Sequence, residues 1–373
     1  MAELKTNYRK QSIESGSRRD AAAVAALDAE LTELAAEAAS LESQSEQLVA
    51  RRTQSEAKLR TNVAVLLDGN GAQRSIALLD IVRAYYPNAM GLFRKTVQYL
   101  GKVWELLSTP PREANTEGGV LPAIFGTVAL VLLMALCSFP LGVLAGIYLG
   151  EYARDGVLVR LVRISVNNLA GIPSIVYGIF GAGFFINFVG HHIDKSLYAY
   201  RLSDGPVFGT GGVLWAALTL GLLTVPVVIV ATEEAVRVIP RTVRESSYAL
   251  GSTKFQTLLR VILPLASPGI LTGFILAMAR AAGEVAPLML TGAVNSAATL
   301  PLDGNFPFLH LERQFMHLGF QIYSVGFQAP NAEAARPLVY VITLLLILIV
   351  LLMSGVAILL RNRMRKRLHI RTI

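Results

Sequence analysis

A single cysteine, Cys137, lies inside an apolar block, so an intramolecular disulfide is excluded and cysteine usage carries no information about redox compartment. Charge is scarce too. Asp, Glu, Lys and Arg make up 16% of the 373 residues, against about 25% in a soluble globular domain. The shortage is uneven: long blocks of the C-terminal two thirds carry almost none, which is the distribution of a membrane protein. No Gly-x4-Gly-Lys-Ser/Thr run occurs, and Gly251-Ser252-Thr253-Lys254 has the wrong order, so nucleotide binding by a P-loop is excluded. No hydrolase triad or metal cluster is visible, and the pair His191-His192 has no Cys, Asp or Glu at ligand spacing. No cofactor is expected. The first 60 residues are polar and lack the short apolar core of a cleavable signal peptide. The formal net charge of +8 comes from arginines beside apolar blocks and at the C-terminus, and it does not call for a nucleic-acid partner.

Residues 1–19 are polar and basic and are expected to be disordered. Residues 21–60 contain no Gly or Pro. Val24, Leu27, Leu31, Leu34, Ala38, Leu41, Ser45 and Leu48 alternate at spacings of three and four. That is the a/d pattern of a helix with a coiled-coil seam; a helix packed on its own domain is the alternative. Residues 61–118 read as a small extramembrane segment. Val63 to Leu67 and Ser75 to Leu79 flank Asp68-Gly69-Asn70-Gly71, a hairpin pattern. A helix from about Asn88 to Leu107 puts Phe93, Val97, Leu100, Trp104 and Leu107 on one face, and Pro110-Pro111 ends it.

The remainder, residues 119–373, is expected to be a membrane domain. Five apolar blocks run over about 120–149, 164–189, 211–232, 264–290 and 338–360, each long enough to cross the hydrocarbon. The cations beside them alternate. The connections 150–163 and 233–260 and the tail after Leu360 are rich in Arg and Lys; the other two connections hold only Lys195 and Arg201, and Arg313 and Arg336. The rich set is read as cytoplasmic, with residues before 120 and the connection 291–337 outside.

Within the cytoplasmic connection 233–260, Ile239-Pro240 opens a short helix, with Pro in the first turn. Glu245-Ser246-Ser247 lies on it, Gly251 ends it, and Ser252 is placed to cap a second helix running to Val261-Ile262-Leu263-Pro264. This resembles the loop signature of bacterial ABC importer permeases: Glu-Ala-Ala, three residues, Gly, nine residues, Ile-x-Leu-Pro. Ser replaces Ala and Val replaces Ile here. The resemblance implies that Glu245, Ser246, Ser247, Gly251, Leu263 and Pro264 form a coupling element docked in a partner ATPase.

Three further stretches narrow the family. Leu169-Ala170-Gly171-Ile172-Pro173-Ser174-Ile175-Val176-Tyr177-Gly178, Arg280-Ala281-Ala282-Gly283-Glu284-Val285-Ala286-Pro287-Leu288 and Ile147-Tyr148-Leu149-x-Glu151-Tyr152-Ala153 resemble the permeases of the Pst phosphate importer. The Ala286-Pro287-Leu288 ending is similar to the A-type subunits (PstA) rather than the C-type. Val285 stands where Thr is usual. The likeness covers about residues 100–370. It implies an all-α type I importer permease (MetI-like) core of five transmembrane helices, preceded by the N-terminal helical extension. It also implies a multi-pass, lipid-embedded inner-membrane location and a cytoplasmic C-terminus. The implied partners are a second homologous permease, two ATPase copies that hydrolyse the ATP, and a periplasmic phosphate-binding protein. The implied cargo is inorganic phosphate, moved by alternating access. The chain itself would not be an enzyme.

The residues can also be read physically. Arg280 and Glu284 are four apart in an apolar block, so they share a helix face. An ionisable group there is costly and usually faces a cavity or a partner. A guanidinium offers phosphate a planar fork of donors, and Glu284 would hold it when phosphate is absent. The alternative is an ion pair that only locks helices together. Pro173 and Ser174 are expected on the substrate pathway with Arg280 and Glu284: Pro173 and Gly178 suggest a broken or kinked helix whose freed N–H groups would face an anion; close packing through Gly171, Gly178, Gly181 and Gly183 is the alternative. Three other functions stay open: a permease for phosphonate, sulfate or molybdate; a membrane scaffold or receptor assembling through the coiled coil; and a secondary transporter, although no duplicated halves are visible. Five spans with a cytoplasmic tail put residues 1–119, with their fifteen Lys and Arg, outside. Permeases of this kind usually have six spans, so a start upstream of Met1 with one more span is expected.

Overall fold

The computed structural model describes residues 21–67, 71, 73–78, 81, 85–112, 117–199, 205–297, 299–304, 308–329 and 332–370. The basic tail 1–19 and the turn residues 68–70 lie outside them. The chain forms two compact units, Met1–Gly101 and Lys102–Ile373.

In the first unit a helix runs over Ala21–Thr61, a length that the absence of Gly and Pro permits. The described seam residues Leu41, Ser45 and Leu48 are exposed, so they do not pack on their own unit. The hairpin pairs Val63–Leu67 with Gln73–Ala77 antiparallel, from Val63↔Ala77 to Leu67↔Gln73. Its second strand starts two residues before the expected one.

The helix Leu92–Ser108 begins four residues later than expected, because residues 87–89 form a separate 3-10 turn. Phe93, Val97, Leu100 and Trp104 share its face, and all four are exposed. A second short pairing, Pro111–Arg112 with Glu117–Gly118, qualifies the all-α expectation together with the hairpin.

The second unit contains five helices long and apolar enough to cross a membrane: Leu121–Tyr152, Ser174–Leu197, Val213–Arg237, Lys254–Gly283 and Ala335–Lys366. The expected five-span core is present, with two corrected boundaries. The second span starts at Ser174, not near 164, because Pro173 takes an extended conformation and has no N–H to continue a helix. Residues 164–169 belong instead to a separate amphipathic helix, Val157–Leu169. The fourth span starts at Lys254 and stops at Gly283; Ala286–Thr291 is a helix of its own.

The third span is central: 67% of its most apolar stretch is buried, against 11% for the fifth. Lipid tails are as apolar as leucine, so spans associate through close van der Waals contact, and small residues mark where they do. A Cβ added at Gly146 of the first span would stand 2.5 Å from the Thr232 Cβ of the third. Gly273 of the fourth span meets Ala231 in the same way. Leu130, Met134, Leu220, Met278, Leu288 and Phe315 fill the core between these elements.

Candidate functional site

The short helix expected after Ile239-Pro240 is Arg241–Ala249, with Pro240 at its N-cap rather than inside its first turn. Glu245 and Ser246 are exposed, whereas Ser247 is buried and its Oγ lies 2.9 Å from Thr257 Oγ1. The motif therefore presents two side chains outward and turns one inward. Gly251 has φ +80°, with open space where a Cβ would sit, so glycine is needed there for the backbone and not for room. Its N–H bonds to Tyr248 O, and Ser252 N–H bonds to Ser247 O, which closes the helix end. The cap of the next helix is Thr253 and not Ser252: its hydroxyl accepts from Gln256 N–H while the Gln256 side chain accepts from Thr253 N–H. Leu263 and Pro264, both half-buried, open the straight part of the fourth span. Behind the whole turn, Ile147, Val236, Ile239, Leu258 and Ile262 form one buried cluster, so the short helix stands on a packed stem.

Five charges escaped the sequence reading as participants. Arg244, on the short helix, pairs with Glu151 at 3.0 Å. Arg163 pairs with Glu233 at 2.7 Å and Asp155 at 3.1 Å. Glu151 entered only as part of a family-like stretch. The signal available was that Glu151, Arg163 and Glu233 stand at or near the edge of an apolar block.

Arg280 and Glu284 do meet, with Nε 3.5 Å from Oε1. Glu284 is not on the helix face, however; it is the extended residue that ends the span, at φ −77° and ψ 132°. The side chains are 37% and 20% exposed, and both belong to one helix end. The pair thus does not tie two helices together. The break at Pro173 is present, with Pro173 exposed and Ser174 half-buried at the start of the second span. Tyr177 bridges the break: its hydroxyl donates to Leu169 O at 2.7 Å, and it lies within electrostatic reach of Arg280. Among the described residues, neither Pro173 nor Ser174 hydrogen-bonds to Arg280 or Glu284. Close packing holds as well at Gly178, where a Cβ would stand 2.7 Å from Pro287 Cα, but not at Gly183, which faces open space.

Two polar groups organise the loops at the other ends of the spans. Asp194 is buried and accepts from the N–H groups of Val207, Phe208 and Gly209. His317, fully buried, accepts Gly319 N–H on Nδ1. Burial pushes its pKa down to about 4. His191 and His192 turn Nδ1 toward Ile186 O and Phe188 O, and among the described residues no group of three or more His, Cys, Asp or Glu is arranged to hold a metal ion.

Comparison with known proteins bears on this arrangement. The family described as binding-protein-dependent transport system inner membrane component matches residues 138–366. The phosphate transport system permease protein PstA of Mycobacterium leprae (strain TN) is 37% identical over 195 residues, 52% of this chain and 58% of that protein. PstA of Yersinia pestis is 38% identical over 189 residues, 50% of this chain and 57% of that protein. The chain therefore aligns with a little over half the length of these relatives. Among solved structures, an inward-facing form of the MetNI methionine ABC transporter is similar at TM-score 0.48 and 20% identity, over 66% of this chain and 95% of that one.

Proposed function

From the premise that this chain belongs to the binding-protein-dependent transport system inner membrane components, a family of multi-pass membrane proteins, we propose that it is the A-type permease subunit of an ATP-driven phosphate importer. The observation that carries the substrate is the 37–38% identity to PstA proteins. The geometry is compatible with the assignment. Arg280 is the cation near the break in the second span, and it is open enough to be reached. Its fork of donors suits a tetrahedral oxyanion, while Glu284 at 3.5 Å supplies a competing partner that keeps release possible. Binding in which every donor is satisfied only by the cargo would trap it.

The helix Arg241–Ala249 is the docking element for an ATPase in this reading. It exposes Glu245 and Tyr248, with Leu250 exposed at its C-cap, on a packed stem. ATP hydrolysis resides on that ATPase, and this subunit is non-catalytic. A companion permease, a second ATPase copy and an external phosphate-binding protein complete the assembly. The tail after Leu360 is cytoplasmic, and opposite ends of the path open in turn. The coiled-coil seam of Ala21–Thr61 is assigned to assembly with a further helix, since Leu41 and Leu48 are exposed on their own unit.

Uptake of radiolabelled phosphate in a strain deleted for its own phosphate importers, with and without this gene and its companion subunits, tests the reading. Restored uptake that excess sulfate or molybdate does not suppress is the expected result. Uptake suppressed by molybdate or sulfate instead would move the substrate to another oxyanion, and no uptake of any of them would remove the importer reading.

A further inference from the structure

Glu151 stands on the π-helical turn Tyr148–Tyr152 that ends the first span, and it is well shielded, with its side chain 12% exposed. Arg244 Nε donates to both of its oxygens, at 3.0 and 3.3 Å. The remaining nitrogens of that guanidinium are used as well. Nη1 donates to Ile239 O at 2.6 Å, just beyond the third span, and Nη2 to Val236 O at 2.9 Å, in its last turn, where the Ile239 N–H also donates. One side chain of the helix Arg241–Ala249 therefore holds the ends of two spans at once. Arg163 makes the neighbouring joint. Its Nη2 donates to Leu149 O at 3.1 Å and its Nε to Glu233 of the third span at 2.7 Å. The turn that carries Glu151 is thus fixed on both sides.

We propose that the Arg244–Glu151 pair is the latch that makes any displacement of the helix Arg241–Ala249 a joint displacement of the first and third spans. This rests on the importer reading, in which that helix is what the ATPase moves. The physical argument is stiffness. A guanidinium whose Nε is shared by the two oxygens of a shielded carboxylate, with its other two nitrogens on backbone carbonyls, fixes both distance and orientation. The apolar cluster beneath the helix fixes neither, because dispersion is non-directional. Without the latch the helix would still fold, held by the Ser247–Thr257 contact and by Gly251, but it would rock on its stem without drawing the first span along. Glu151 and Arg244 are positioning residues; they touch neither cargo nor nucleotide in this assignment.

The test uses the whole complex, purified with its ATPase and companion permease and returned to proteoliposomes. ATP hydrolysed per phosphate taken up is measured for the native protein, Glu151→Gln, Glu151→Asp and Arg244→Gln. Glu151→Gln is expected to raise that ratio about tenfold, the scale of a typical coupling between sites. Glu151→Asp, which keeps the charge, should stay near the native ratio, and the double variant Glu151→Gln/Arg244→Gln should be no worse than the poorer single one. A native ratio in Glu151→Gln, at full or reduced abundance, would show a merely structural pair and overturn the proposal, as would failure of both Glu151 variants to assemble. Amide hydrogen exchange reads the latch independently of cargo. On addition of a non-hydrolysable ATP analogue, residues 147–152 and 241–249 should change protection together in the native complex and separately in Glu151→Gln. Independent changes in the native complex overturn the latch. A native complex that takes up no phosphate while the two segments still move together would instead sink the substrate assignment alone.

Discussion

An arginine near a hydrocarbon layer is tolerated where water or an anion reaches it, and the Arg280 side chain is 37% exposed on this chain. Because its pair with Glu284 lies within one helix end, Arg280→Gln leaves no charge stranded between packed helices. The variant should reach the membrane at native abundance and lose at least about tenfold in phosphate uptake, as expected for a charged donor lost from a site. Immunoblots and uptake on the same cells check both parts. Recovery of uptake in Arg280→Gln/Glu284→Gln would remove the phosphate contact. His317 makes a different prediction. Its Nδ1 accepts the Gly319 N–H, which requires a neutral ring, and its pKa in the folded state, about 4, lies below the ordinary 6.5. A base with a depressed folded pKa is stabilising while neutral. That stability is fully present above pH 6.5 and is lost as pH falls from 6.5 toward 4, by up to about 3 kcal/mol. Thermal melts of the purified protein between pH 7.5 and 5 should show the slope, and His317→Gln should flatten it.

At the scale of elements, breaks matter more than helices. Spans two and four each stop or start at a residue that leaves helical geometry, Pro173 and Glu284, and the two ends come near each other through Tyr177. The same logic governs the turn after Arg241–Ala249. Gly251 holds φ +80°, which costs a side-chain-bearing residue about 1–2 kcal/mol, and a Trp adds bulk to an exposed surface. Gly251→Trp should remain in the membrane, since among the described residues nothing beyond its chain neighbours lies within 4 Å of the added Cβ, yet hydrolyse ATP with little uptake. Normal uptake at normal abundance would take the short helix out of the coupling argument.

For the molecule as a whole, the proposed orientation is open to direct labelling. In a Cys137→Ser background, a cysteine in place of exposed Leu302 in the connection 291–337 should react with a membrane-impermeant maleimide on intact spheroplasts. One in place of exposed Val238, beside the cluster of arginines, should react only after permeabilisation. The reverse pattern would invert the topology and place the helix Arg241–Ala249 out of reach of any cytoplasmic ATPase.

Hydrophobic length alone determined that five stretches of this chain can cross a membrane, since an uncharged run of that size has few other uses. Backbone chemistry alone determined the turn at Gly251, because glycine adopts a positive φ that other residues avoid, whereas the break at Pro173 stayed open against close helix packing and was decided by the structure. Local pattern reached no further. It placed Glu284 on a helix face, where the extended backbone after Gly283 puts it at an end, and it placed a cap on Ser252 that Thr253 carries. The partners that lock the core lie far apart in the chain: Arg244 and Glu151 are 93 residues apart, Arg163 and Glu233 are 70. Periodicity reports which face a residue occupies on its own helix, but the identity of the opposite face is decided only when helices pack. That is why the spans were legible in the sequence, while the joints between them became visible only in the tertiary structure.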